Sequence, residues 1–104
     1  MTEREPTYVW NNVDELQYEL HLTDGRRIGY IRYRLEPEAV ALVYIDIDPG
    51  FEHRGFGTRL VAAALRDLRS RGKHVISISP LVADYIRLHP EYADLVVADP
   101  AVPE

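Results

Sequence analysis

The period of hydrophobic and polar positions changes three times along this chain. Leu16, Tyr18, Leu20 and Leu22 fall on one side of an extended backbone, with Gln17, Glu19 and His21 on the other. Residues two apart share a strand face, so Leu16–Leu22 is predicted as a half-buried strand. Thr23-Asp24-Gly25-Arg26 follows, and Asp-Gly suits a tight hairpin turn. Arg27–Leu35 alternates again, with Ile28, Tyr30, Arg32 and Arg34 against Gly29, Ile31, Tyr33 and Leu35. Glu36-Pro37-Glu38 ends it, because proline has no N–H for a ladder. Val40–Asp48 starts almost wholly apolar, as for a strand covered on both faces. Its end alternates, with Tyr44, Asp46 and Asp48 against Ile45 and Ile47. Tyr8, Val9 and Trp10 form a short apolar patch, readable as a brief strand or as a segment laid over the core.

Pro49-Gly50 breaks the third strand, and the period then becomes helical. Leu60, Val61, Ala64, Leu65 and Leu68 make an apolar stripe from about Gly57 to Arg71, with Arg59, Arg66, Asp67, Arg69 and Arg71 on the wet side. Gly72 sits where a left-handed cap belongs. Lys73–Ser79 is a short β-branched strand. Pro80 opens a second helix through Val82, Ala83, Tyr85, Ile86 and Leu88, which stops at His89-Pro90. In the tail, which carries Pro100 and Pro103, Tyr92, Leu95, Val96 and Val97 can pack as a last turn or strand. The predicted order is β-β-β-α-β-α: an α/β (α+β) fold with a mixed, mainly antiparallel sheet. The helix after the meander lets the last strand run parallel to the third.

At 104 residues the expectation is one domain over 1–104. Cysteine is absent, which excludes disulfides and thiolate chemistry. No apolar run approaches a membrane span. Met1 to Pro6 does not read as a secretory signal, so the expected location is cytoplasmic. A net charge of -5 argues against nucleic-acid binding, and nothing points to a membrane partner. The expected state is a monomer or weak dimer. Charge is uneven: residues 49–79 hold 6 Lys/Arg against 2 Asp/Glu, whereas residues 1–48 hold 5 against 10. Attraction of an anionic ligand and a solvated arginine-bearing helix face both explain this. His21, His53, His74 and His89 show no close metal-ligand spacing, so no metal is expected.

The chemistry concentrates between the third strand and the first helix. Gly50-Phe51-Glu52-His53-Arg54-Gly55-Phe56-Gly57-Thr58-Arg59-Leu60 ends where helix amides lack intrahelical partners, a ready anion site. Gly55 and Gly57 remove side chains where a phosphate approaches backbone. Arg54 adds a charge, Thr58 a hydroxyl, and His53 lies close enough to touch phosphate. The Gly-Lys-Ser/Thr ending of a P-loop is missing. So is the third glycine of a dinucleotide fingerprint.

Arg54-Gly55-Phe56-Gly57-Thr58-Arg59-Leu60-Val61 resembles motif A of the GCN5-related N-acetyltransferases, whose loop amides bind the pyrophosphate of acetyl-CoA. Ser79-Pro80-Leu81-Val82-Ala83-Asp84-Tyr85-Ile86-Arg87-Leu88-His89-Pro90-Glu91-Tyr92 resembles the smallest branch, often called N-acetyltransferase domain-containing or YidJ-like. The resemblance covers roughly residues 8–96. It implies acetyl-CoA (coenzyme A) held by Ile47, His53, Arg54, Gly55, Phe56, Gly57 and Thr58, with the Ile47 N–H facing the thioester carbonyl.

Three departures stand out. Glu52 occupies a place where the family favours Gln or Arg. Ser79 replaces the branch's cysteine, so no thiolate acts there. Tyr44-Ile45-Asp46-Ile47 stands for His-Thr-Glu-Val, which keeps a carboxylate and loses a histidine.

The implied activity is direct acetyl transfer to an amine acceptor, either a protein terminus, a lysine or a small polyamine. Asp46 is the candidate base, against a role as a solvated strand-end carboxylate. Ser79 is a candidate at the cofactor sulfur, against a role as N-cap of the second helix. Tyr85 is a candidate acid, against a role in the core. Two rival readings are a CoA-binding interaction module with little catalysis, and a structural domain whose glycines only make a turn.

Overall fold

A four-strand antiparallel meander carries the site. Its strands are β1 (Thr7–Asn12), β2 (Gln17–Leu22), β3 (Arg27–Leu35) and β4 (Ala39–Ile47). Helix α1 (Phe56–Ser70) crosses over to β5 (His74–Ser77), which pairs parallel with β4. Helix α2 (Pro80–Leu88) and a 3₁₀ turn (Pro90–Leu95) follow. The sheet order is β1-β2-β3-β4-β5. These features come from a computed structural model that describes residues 6–99. The readings of the first five residues and of Pro100 and Pro103 lie outside that range.

The expected fold class stands, and the order gains one strand at the front. Tyr8-Val9-Trp10 is the middle of β1, antiparallel to β2 from Thr7↔Leu22 to Asn12↔Gln17. In the tail, Val96 bridges Val75 and the Val97 N–H donates to the Val75 carbonyl at 2.9 Å, so both a last turn and an extended stretch form.

One face of the sheet packs on the helices. Leu20, Ile31, Tyr33, Val40, Leu42 and Val75 meet Leu60, Val61, Ala64, Leu65 and Leu68 of α1, with Val82 and Ile86 of α2. Burial of these side chains supplies the main driving force for folding. Past α1, Gly72 takes φ 71°, and the Lys73 N–H returns to the Leu68 carbonyl at 2.9 Å, closing the helix.

Two details depart from simple alternation. Ile28 does not share a face with Tyr30, Arg32 and Arg34; it is fully buried in the core. Leu20 pairs with Gly29 and His21 with Arg27, so Ile28 is the extra residue of a bulge and its side chain turns inward. The polar face of β2 is also covered: Gln17 is 2% and Glu19 5% exposed. Glu19 accepts hydrogen bonds from Gln17 (2.6 Å) and Asn12 (3.0 Å) and contacts the His21 ring (3.0 Å). Burial pushes the Glu19 pKa up. The hydrogen bonds and the Arg27 charge outweigh that and leave it below the ordinary 4.5.

Candidate active site

The site forms where β4 and β5 part. They pair from Ala39↔His74 to Leu42↔Ser77. The N–H groups of Ile78 and Ser79 then both converge on the Leu42 carbonyl, at 3.2 and 3.0 Å. Beyond that point β4 runs on to Ile47 without β5 beside it. A bulge marks the parting. Tyr33 pairs with Leu42 and Arg32 with Tyr44, leaving Val43 without a partner.

Backbone direction in the gap follows from one bond. The Asp48 N–H donates to the Ile28 carbonyl at 2.8 Å, toward β3. Successive N–H groups of a strand point to opposite edges, so those of Ile47 and Ile45 face the side that β5 has vacated.

The facing wall is the start of α1. Its N-cap Gly55 has φ 85°, and no side chain caps the helix. The Arg59 N–H donates to the Gly55 carbonyl at 3.0 Å, so the amides of Phe56, Gly57 and Thr58 precede the first intrahelical bond. Gly50 at φ 92° and His53 at φ 64° curl the loop before them. A Cβ on Gly57 would lie 3.0 Å from Leu81 Cδ2 and 3.9 Å from Ile47 Cγ1. Glycine at this position therefore keeps the floor between β4 and α2 open.

A cleft of about 510 Å³ results, lined by Ile45, Asp46, Ile47, Glu52, His53, Gly55, Gly57, Thr58, Ser79, Pro80 and Leu81. Seven of the residues expected from sequence meet here: Asp46, Ile47, His53, Gly55, Gly57, Thr58 and Ser79. Ser79 does occupy the N-cap of α2, but its side chain makes no capping bond.

Three expected residues do not line the cleft. The Arg54 guanidinium donates to the Gly50 carbonyl at 3.1 Å and lies 5.4 Å from the ring centres of Phe51 and Phe56. The Phe56 side chain is buried in the core, which leaves only its backbone amide for a ligand. The Tyr85 ring stacks on His89, with centroids 3.9 Å apart. Burial, then the neighbouring Tyr92 and Glu91, push the Tyr85 phenol up, so it stays protonated at neutral pH.

Ile45, Glu52, Pro80 and Leu81 line the cleft without having been singled out as ligands. Pro80 and Leu81 directly follow Ser79, which was the available signal. The cationic stretch is largely engaged elsewhere. Arg59 donates to Thr7 Oγ1 (2.7 Å), Arg69 pairs with Asp94 (2.8 Å) and Arg71 with Asp67 (2.8 Å). Among the described residues no Lys or Arg side chain lines the cleft, so the donors it offers an anion are the first-turn amides, with Thr58 and His53 beside them.

A family model, "GCN5-related N-acetyl-transferase", matches residues 17–95, well over half the chain. This chain belongs to the GCN5-related N-acetyl-transferase family. A comparison with curated proteins finds no match. Among solved structures, the family fold is shared with a GCN5-like protein from Staphylococcus aureus. The TM-score is 0.65 at 13% identity, over 88% of this chain and 89% of that one. The ribosomal-protein-S18-alanine N-acetyltransferase from Escherichia coli gives a TM-score of 0.56 at 20% identity, over 73% and 50% of the chains. Ard1 from Thermoplasma volcanium gives 0.52 at 20%, over 76% and 55%. The chain thus spans about half the length of the latter two proteins. Against that family fold, the cleft lies between the two sheet strands that part and the helix following the meander.

Proposed function

We propose that this chain is an acetyl-CoA-dependent N-acetyltransferase, its 104 residues acting as one unit, as a monomer or weak dimer. The observation that carries the reading is the pairing of two unpartnered donor sets across one cleft. The Ile47 N–H points into the strand gap, and the uncapped first-turn amides of α1 face it beyond Gly57.

Each wall then has a task. The amides of Phe56, Gly57 and Thr58, aided by the positive end of the α1 dipole, suit a pyrophosphate. The Ile47 N–H suits a carbonyl oxygen on which negative charge develops. Bound acetyl-CoA supplies an acetyl thioester: the amine nitrogen bonds to its carbonyl carbon, the carbon–sulfur bond breaks, and CoA leaves as the thiol. Asp46, exposed at the gap's edge, accepts the proton that the amine loses. The Ser79 hydroxyl, not used for capping, is available to hydrogen-bond the departing sulfur, and the proton taken up by Asp46 returns through solvent to make the thiol.

A second reading, a CoA-binding module with little turnover, draws on Tyr85 and Glu52. Tyr85 lies outside the lining, which removes the expected phenolic acid, and Glu52 adds a second carboxylate to the cleft. Thiol release from acetyl-CoA across an amine panel separates the two. Turnover on an amine that collapses in Asp46→Asn supports the enzyme. CoA binding without turnover on any amine supports the module.

A further inference from the structure

The sheet has a second face, and its residues fall in transverse rows. One row is Trp10, Glu19, Tyr30 and Asp46, each directly across from the next. The next row is Asn12, Gln17, Arg32 and Tyr44. The buried residues of α1 and α2 all pack on the opposite face. The first row therefore ends at the candidate base and the second at Tyr44; Gln17 and Glu19 in their middle are covered, while Trp10, Arg32, Tyr44 and Asp46 are exposed.

This face is built like a recognition surface. Trp10 and Tyr44 are each 52% exposed. Aromatic and arginine side chains are the types that dominate binding energy at protein interfaces. The cations here are held from below. Arg32 donates to Gln17 Oε1 at 2.8 Å, and Gln17 in turn donates to Glu19 at 2.6 Å. The guanidinium carbons of Arg27 and Arg32 lie 5.0 and 5.5 Å from the Tyr30 ring centre, and Tyr30 sits 6.1 Å from Tyr44. Arginine has five donors, so those not used on Gln17 remain for a ligand. Glu19, by contrast, is buried and saturated. At the cleft end the accessible charges are the exposed Asp46 and, two residues on, the half-buried Asp48, with Arg32 on the diagonal from Asp46, about 7–8 Å away in strand-pair geometry.

We propose that the acceptor is a polypeptide whose reacting amine is followed by acidic side chains, and that it docks on this open face. The proposal rests on the acetyltransferase reading and extends it to the acceptor. The amine goes to Asp46, the acidic neighbours to Arg32 and Arg27, and the chain crosses Tyr44. The transfer itself is unchanged: the acetyl group leaves CoA sulfur for the peptide nitrogen, and CoA departs as thiol. A small amine would favour an enclosed pocket, which this flat, aromatic face is not.

The test uses the full chain, acetyl-CoA and short peptides whose only primary amine is the N-terminus. Their first residue is constant, followed by acidic, neutral or arginine-rich residues. The acidic peptide should exceed the arginine-rich one in kcat/KM by about tenfold or more, mainly through KM. Arg32→Glu should reverse that order, and Tyr44→Ala should raise KM for all peptides. CoA affinity, measured by calorimetry, reports whether each variant keeps its fold. Equal use of all peptides, or an unchanged order in a CoA-binding Arg32→Glu, overturns the inference while leaving acetyl transfer intact. So does acetylation of free polyamines or amino acids in preference to any peptide. Failure of the wild type to bind acetyl-CoA removes the acetyltransferase reading and this inference together.

Discussion

The Asp48 N–H reaches the Ile28 carbonyl at 2.8 Å, and that bond turns the Ile47 N–H into the gap between β4 and β5. Ile28 is itself the extra residue of a bulge. Two bulges thus shape the site. The one at Ile28 interrupts the pairing of β3 with β2 while β3 stays in regular register with the end of β4, and the one at Val43 lies where β4 parts from β5.

The Asp46 carboxylate lies at the edge of that gap. Asp46→Asn keeps the shape and removes the base, so kcat should fall by about 10²-fold or more with CoA affinity retained. Stopped-flow thiol release with an excess of amine checks this. Wild-type kcat in the variant assigns Asp46 to the solvated strand end instead.

Ser79 is at the N-cap of α2 without a capping bond. Loss of a working serine cap costs about 1 kcal/mol. Ser79→Ala should therefore change stability by clearly less than that in urea unfolding, while slowing acetyl transfer. A full cap-sized loss with unaltered transfer returns Ser79 to a structural role.

Much of the meander was legible in the sequence, because the alternation in β2 and β3 and the Asp24-Gly25 turn are local signals. β1 was ambiguous: three apolar residues flanked by Asn11 and Asn12 gain their strand only through pairing with β2. The Ile28 bulge leaves no mark in the pattern, since inserting a residue changes register and not composition. The uncapped loop before α1 was readable from its glycines and its place before a helix. The position of Tyr85 was not, because which side of α2 meets His89 and Tyr92 is decided by the 3₁₀ turn that follows. The burial of Glu19 likewise depends on cross-strand partners, Asn12 and Arg27, that no local window contains.

That buried carboxylate carries a pH signature. Its folded pKa is lowered, so its contribution is present above the unfolded value near 4.5 and disappears as pH falls through the folded value. Tm should therefore decline below pH 4.5 in the wild type. Glu19→Gln should be less stable at pH 7 and show a flatter decline in the acid range. Parallel Tm–pH curves for the two proteins would show that Glu19 is not a source of acid sensitivity.

The Gly57 position separates volume from charge. Gly57→Ala brings a Cβ to 3.0 Å from Leu81 Cδ2, the end of a flexible side chain. Alanine's helix preference, roughly 0.5–1 kcal/mol over glycine, opposes that crowding. Tm should move little, while CoA affinity drops by a few-fold because the floor is narrower.

The start of α1 is proposed to hold the phosphates of CoA. Isothermal calorimetry of acetyl-CoA with the wild type and Gly57→Glu tests it most directly, with circular dichroism confirming that both are folded. One saturable site is expected in the wild type and an affinity at least about tenfold weaker in Gly57→Glu, whose carboxylate opposes the bound phosphates beside the same amides. Equal affinity in the two proteins would place the phosphates elsewhere, and no binding to the wild type at millimolar ligand would rule out CoA as a ligand of this cleft.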